Sequence, residues 1–157
     1  MNALTASGLL LAFPPRLADA DALPWVPSPV PGKSSKPLRF LPDGRGFVEL
    51  LRMQPGVSMP PHRHTGDTHV YHLSGTRRLT TGEIIGPGGY AFEQAGNVDA
   101  WDVIGDEPLV ALVVVLGDVE NLAPDGSVCG RATTATRRAE YEDHCRASGL
   151  AILDLEG

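Results

Sequence analysis

The sequence predicts an all-β protein, a barrel made of two packed sheets, and three observations support this. The 157 residues include 18 Gly and 14 Pro, a content typical of short strands joined by tight turns. Turn signals recur roughly every eight to twelve residues. A chain of this length has room for one core. We therefore expect an irregular N-terminal arm over residues 1–22, a barrel over residues 23–130, and a C-terminal helix and tail over residues 131–157.

Each predicted strand ends at a turn rich in glycine or proline. The first two cover residues 36–40 and 47–53, and the next two carry histidines on either side of a turn at residues 65–67. Residues 109–116 are nearly all Leu and Val, which indicates a strand buried on both faces. The remaining strands are expected at residues 77–81, 82–85, 90–93, 99–104, 119–122 and 127–129.

The hydrophobic period changes after the last of these strands. Residues 133–148 contain no helix breaker and are rich in Ala, Arg and Glu, and Gly149 follows them as a natural left-handed stop. The pattern predicts one C-terminal helix, with Ala135 and Ala139 turned towards the barrel.

Composition and charge argue against several kinds of partner. The formal net charge is −6, and Lys and Arg form no cluster that would neutralise phosphates, so we expect no nucleic-acid partner. No apolar run approaches the length of a membrane span, so no membrane partner is expected either. Cys129 and Cys145 lie far apart and imply no disulfide framework. Reduced thiols indicate a cytoplasmic protein.

Four of the 5 histidines lie between His62 and His72, and this density indicates a site. His62 and His64 are two residues apart, so in a strand their rings leave the same face and can converge on one ion. Asp99 opens a neighbouring strand and would supply a carboxylate. Two histidines and one carboxylate are the ligand set of non-haem Fe(II), and other divalent ions accept it as well. The alternative is an Asp99 that points to solvent and a protein that binds no metal.

A pocket for a small organic substrate is predicted beside these ligands. His72 shares a strand face with Val70 and is a candidate acid or base near neutral pH, in company with Asp99. Alternation also places several apolar side chains together, although ordinary core packing explains each of them singly. The candidate substrate-binding residues are Val70, Tyr90, Phe92 and Trp101.

The histidine stretch resembles the first sequence motif of the cupins, small double-sheeted barrels, through Gly56, His62, His64 and Gly75. A looser second motif is matched at residues 88–99, where Asp99 stands in the place of a ligand histidine. The cupin glutamate, which follows the second histidine after three or four intervening residues, is replaced by Thr68 or His69. Residues 22–150 are similar to the 2,4'-dihydroxyacetophenone dioxygenase group of cupins, which is related to acetylacetone dioxygenase. That similarity rests on segments including 24–27, 37–40, 50–75, 92–96 and 125–150.

The resemblance implies a cupin double-stranded β-helix, or jelly-roll barrel, with a mononuclear Fe(II) that cleaves a carbon–carbon bond of a hydroxyketone or diketone with oxygen. It also implies a homodimer or homotetramer. His62 and His64 match the first two ligands of the group, its last histidine falls on Asp99, and its glutamate falls near Thr80 or Thr81. Two other functions stay open. One is an oxygen-independent isomerase, cyclase or decarboxylase, and the other is a ligand-binding cupin with a degenerate metal site and no catalysis.

Overall fold

Two six-stranded antiparallel sheets face each other in the computed structural model, which describes residues 18–156. The one α-helix of this range, α1, covers Thr134–Ser148, and short 3-10 turns cover Ala20–Ala22 and Pro42–Gly44. The strands are β1 (Val26–Pro27), β2 (Lys33–Leu41), β3 (Gly46–Met53), β4 (Ser58–His64), β5 (Thr68–Ser74), β6 (Thr76–Leu79), β7 (Ile84–Ile85), β8 (Tyr90–Glu93), β9 (Val98–Ile104), β10 (Leu109–Val115), β11 (Val119–Leu122) and β12 (Val128–Ala132).

The chain winds between the two sheets. The first sheet has the order β1-β2-β3-β10-β5-β8, and the second has the order β12-β11-β4-β9-β6-β7. From β3 onwards, successive strands or hairpins alternate between the first sheet and the second. This winding is the double-stranded β-helix of a jelly roll, so the all-β fold predicted from the sequence is confirmed.

The interior is built by the period of two along each strand. In β10, Leu109, Ala111, Val113 and Val115 are buried, while the residues between them are half-buried on the outer face. The prediction that this strand is buried on both faces therefore holds fully for one face only. In β3 the same alternation brings a charged residue inside, because Glu49 faces inwards and is 6% exposed.

Helix α1 has the bounds that its flanking residues predict. Thr133 caps it through a reciprocal capping box with Thr136, and Gly149 ends it in the left-handed conformation at φ 66°. The predicted inward face is wrong, since Ala135 and Ala139 are exposed. The larger Tyr141 and Cys145, one helical turn apart, bury more apolar surface and face the barrel instead.

The structure can be compared with the predicted N-terminal arm and with the predicted C-terminal limit of the barrel. The arm expected over residues 1–22 lies outside the described residues as far as residue 17, and from there Leu23 is the first buried side chain. Strand β12 ends at Ala132, slightly beyond the barrel limit predicted at residue 130. Within residues 18–156, no helix has the length and apolar character required to cross a membrane.

The contact between α1 and β3 leads to a stability prediction. Thr134 is 3% exposed, and its hydroxyl accepts from the N–H of Gly46 and donates to the carbonyl of Gly46, both at 2.9 Å. Thr134→Val would leave two buried backbone groups unpaired and should lower the free energy of unfolding by about 2–4 kcal/mol. Urea denaturation measures this. Thr80→Val, at an exposed position, is the control, and equal losses in both variants would refute the prediction.

Candidate metal centre

His62 and His64 point into the barrel from β4, which lies between β11 and β9 in the second sheet. Both side chains are buried, each with 5% exposure. Their ring centroids are 5.0 Å apart with an interplanar angle of 82°, so the two imidazoles converge edge to face. The period of two in β4 produces this convergence, as the sequence predicts.

The third member of the cluster is Glu93, which reaches the histidines from β8 in the opposite sheet. One ligand atom from each of His62, His64 and Glu93 lies within 4.8 Å of the others. Oε2 of Glu93 is 2.7 Å from Nε2 of His64. These separations are close to those of three atoms that share one divalent ion, since bonds of about 2.0–2.2 Å place two ligand atoms at most about 4.4 Å apart.

Hydrogen bonds at Nδ1 orient the two rings for metal binding. Nδ1 of His62 is 2.9 Å from the carbonyl oxygen of Pro60, and because a carbonyl only accepts, Nδ1 carries the proton. Nδ1 of His64 is 3.0 Å from the hydroxyl of the fully buried Thr68. Nε2 of His64 is buried and makes no hydrogen bond within residues 18–156, despite its closeness to Glu93. Nitrogens oriented in this way by outer partners are typical of metal ligands.

The surroundings of the cluster keep Glu93 and His62 in the protonation states that bind a metal. Nη2 of Arg77 lies 3.2 Å from Oε1 of Glu93, and its guanidinium sits 4.9 Å from the centroid of the Trp101 ring. Burial by itself would raise the pKa of Glu93, but the neighbouring His64 and Arg77 outweigh it and lower that pKa to about 2. Burial lowers the pKa of His62. At neutral pH the site therefore holds a carboxylate and a neutral imidazole, as a divalent cation requires.

Asp99, the acid expected to complete the site, lies outside this cluster. It pairs with His62 across the β4–β9 ladder, but its Oδ1 accepts from the N–H of Ala100 at 2.7 Å. It is half-buried and does not line the cavity, and burial raises its pKa. The acid beside the two histidines is Glu93, which the sequence prediction missed. The N–H of Ala100 holds the Asp99 carboxylate beside its own strand, whereas Glu93 faces the rings from the opposite sheet.

Two predicted pocket residues lie on the outside of the barrel. Tyr90 and Phe92 are 60% and 53% exposed, and they contact His69 on the outer face of the first sheet. Because side chains alternate along β8, outward aromatic residues put Ala91 and Glu93 inside. The alternation was visible in the sequence, but its direction was not.

Val70, His72 and Trp101 line the predicted cavity, whose volume is about 280 Å³. His72 is fully buried, and its Nδ1 lies 2.9 Å from the carbonyl oxygen of Gly89. Its Nε2 has no hydrogen-bond partner among the described residues, and burial lowers its pKa. A neutral imidazole with a free lone pair in a largely apolar cavity can accept a proton.

Exchanging each acid for its amide separates the two candidates for the third ligand. Glu93→Gln removes the charge of a ligand and should weaken binding of Fe(II) by at least about 100-fold, whereas Asp99→Asn should change it by less than about threefold. Anaerobic titration, with elemental analysis of each variant, measures both. Loss of metal in Asp99→Asn with retention in Glu93→Gln would reverse the assignment.

The depressed pKa of Glu93 also predicts how stability depends on pH. The ordinary pKa of this group is 4.5 and that in the folded protein is about 2, so its ionisation stabilises the fold above pH 4.5 and this stabilisation is lost as the pH falls towards 2. Metal-free wild type should lose roughly 2 kcal/mol more than Glu93→Gln between pH 5 and pH 3. Urea denaturation at pH 5 and pH 3 compares them, and parallel losses would contradict the prediction.

Comparison with known proteins places the chain in a family. The model of the ChrR cupin-like domain matches residues 15–120. No curated protein gives a significant match.

Among solved structures, an RmlC-like cupin from Ralstonia eutropha is 24% identical and superposes with a TM-score of 0.84, over 90% of this chain and 94% of that one. A second cupin-like protein from the same organism, of unknown function, is 22% identical with a TM-score of 0.80, over 90% and 91%. An acetylacetone dioxygenase from Acinetobacter johnsonii is 15% identical with a TM-score of 0.70, over 83% and 91%. With two-sheet winding, inward histidines and a matching family model, this chain belongs to the ChrR cupin-like family of the cupin superfamily.

Proposed function

We propose that the protein is a mononuclear non-haem Fe(II) dioxygenase that cleaves a carbon–carbon bond in a small hydroxyketone or diketone. The observation that carries this proposal is the cluster of His62, His64 and Glu93. Two histidines and one carboxylate are the ligand set of Fe(II) oxygenases, and they leave coordination positions for substrate and oxygen. Nε2 of His64 and Oε2 of Glu93 lie 2.7 Å apart without a hydrogen bond between them, which supports a cation shared by both.

The residues around the cluster have separable roles in such a reaction. Bound iron would supply a Lewis acid for the substrate oxygens and a site for oxygen. Arg77 holds Glu93 ionised, so that the carboxylate is ready to bind the metal. Trp101 and Val70, 4% and 5% exposed, keep water from the substrate. Nε2 of His72 can accept the proton that leaves the carbon between two carbonyl groups, which produces the enolate form of the substrate.

The structural likeness to an acetylacetone dioxygenase supports this choice of substrate class. At 15% identity that likeness shows the shared fold, so the substrate is inferred from the site and the fold together.

A second candidate function needs no oxygen. The free lone pair of His72, inside a cavity able to hold a small molecule, also suits an isomerase, cyclase or decarboxylase that works by proton transfer. Asp99, proposed from the sequence as the partner acid, does not line this cavity, so His72 would act without it.

We also propose that the protein forms a homodimer or homotetramer through the outer face of its first sheet. Tyr71, Leu73, Tyr90 and Phe92, between 47% and 60% exposed, form an apolar face there that a second copy can cover. The cytoplasmic location stays a prediction of the sequence.

Oxygen uptake tests the dioxygenase proposal. Protein loaded with Fe(II) under anaerobic conditions should consume one equivalent of oxygen per 2,4-pentanedione or 2,4'-dihydroxyacetophenone cleaved, with the products identified by mass spectrometry. His64→Ala should abolish oxygen uptake, and His72→Gln should lower kcat by about 10²–10⁴-fold while retaining iron.

Turnover without oxygen in the presence of a chelator would favour the proton-transfer enzyme. Substrate binding without turnover under either condition would indicate a non-catalytic cupin.

A further inference from the structure

The cavity that contains the metal candidate also has a polar end. Lys33 on β2 and Arg137 on α1 line the same cavity as His62 and His64. In the first sheet β2 and β8 are separated by β3, β10 and β5, which is four strand spacings, or about 19 Å along the sheet. Lys33 and Glu93 therefore come from strands far apart in this sheet, yet both line one cavity. Nζ of Lys33 reaches Met59 on β4, the strand that carries His62 and His64, so a short molecule can contact both groups.

Lys33 has no anionic partner in this cavity. Its Nζ lies 3.7 Å from Sδ of Met59, and no carboxylate among residues 18–156 lies within ion-pair distance of it. Burial lowers the pKa of Lys33 and nearby Arg137 lowers it further, against the opposing charges of Glu49 and Glu140. Burial removes hydration water from the ammonium group of Lys33, and the weak contact with a thioether sulfur compensates for little of that loss.

The acids around Lys33 are already bonded to other groups. Oε1 of Glu49 accepts from Ser35 at 3.3 Å and from Nη2 of Arg137 at 3.5 Å, and Oε2 of Glu140 accepts from Nη1 of Arg137 at 3.1 Å. Nε of Arg137 is buried and has no partner in the described part of the chain. Three donors that line this cavity therefore lack an oxygen acceptor among the described residues: the ammonium of Lys33 and the Nε–H groups of Arg137 and Arg77. Arg77 lies beside Glu93 at the metal candidate, whereas Lys33 and Arg137 are near each other at the polar end.

We propose that Lys33 and Arg137 form a carboxylate-binding subsite, and that the substrate of the metal centre is a small dicarbonyl or hydroxyketone acid. Its carboxylate lies at the Lys33 end of the cavity, and its reacting carbonyls lie at the His62 and His64 end. The orientation of the carbonyls rests on the proposed function, while the carboxylate contact does not. A cavity of about 280 Å³ is small for a ligand site, which restricts the substrate to a short acid.

Comparing an acid with its ester tests the subsite. The probes are 4,6-dioxoheptanoate, which carries a β-diketone and a carboxylate, and its methyl ester. Calorimetry on Fe(II)-loaded protein without oxygen should show the acid binding about 10- to 100-fold more tightly than the ester, as expected for charge-assisted hydrogen bonds in a partly desolvated site. Equal affinity of the two probes for the wild type would overturn the proposal.

Variants of Lys33 and Arg137 test whether these residues cause the preference for the acid over the ester. Lys33→Met keeps an unbranched side chain, one atom shorter and without the charge. It should lower affinity for the acid by about tenfold and leave affinity for the ester within about twofold, and Lys33→Arg should restore the preference. Arg138→Gln, one residue along α1 from Arg137 and paired with Glu156 outside the cavity, is the matched control and should change neither affinity. A preference that survives both Lys33→Met and Arg137→Met would also overturn the subsite. Thermal unfolding of each variant identifies any loss of fold.

Metal-free protein separates this proposal from the proposed function. Glutarate, a carboxylate probe without a ketone, should bind metal-free wild type with a Kd that Lys33→Met raises by about tenfold, measured by NMR titration. If iron-loaded protein consumes no oxygen while this Lys33-dependent binding persists, the subsite stands and the dioxygenase proposal fails. If oxygen uptake occurs and Lys33→Met leaves the Kd of glutarate unchanged, the carboxylate subsite is refuted and the dioxygenase proposal stands.

Discussion

The buried carboxylate of Glu93 joins the two sheets of the barrel. It projects from the first sheet and contacts His64 and Arg77, which both project from the second. Glu93 is 8% exposed, and a buried carboxylate without partners would destabilise the fold by several kcal/mol. The two sheets must therefore pack close enough for Glu93 to reach both His64 and Arg77. The same contacts keep the acid ionised. One interaction therefore stabilises the interior and prepares a metal ligand.

The acid of this site reaches the histidines from a different strand than the cupin pattern leads one to expect. Thr68 stands where that pattern has glutamate, and Glu93 is its direct partner across the β5–β8 ladder. Thr68 in turn contacts Nδ1 of His64. The site therefore still has two histidines and one carboxylate, but the carboxylate comes from β8 instead of β5. The position on β5 is occupied by Thr68, which orients the ring of His64.

Helix α1 contributes to the cavity as well as to the core. Tyr141 and Cys145 pack against the barrel, while Arg137, from the same helix, lines the cavity and bonds to Glu49. The helix lies beyond residues 15–120, the part of the chain that matches the family model. The polar end of the cavity, where Lys33 and Arg137 lie beside Glu49 and Glu140, thus combines a strand of the matched region with an element outside it.

The sequence by itself determined the local features of this protein. Turn residues and alternation located the strands around His62 and His64, and the capping residues of α1 located its ends, because these signals depend on neighbours in the chain. Which acid meets the histidines was decided only by tertiary structure. The period of two defines two faces for β8 without saying which is inside, and the outward direction of Tyr90 and Phe92 follows from the need to pair Glu93 with Arg77 across the interior. Lys33 and Arg137 lie 104 positions apart (137 minus 33), so only packing of the helix on the barrel could bring them to one cavity.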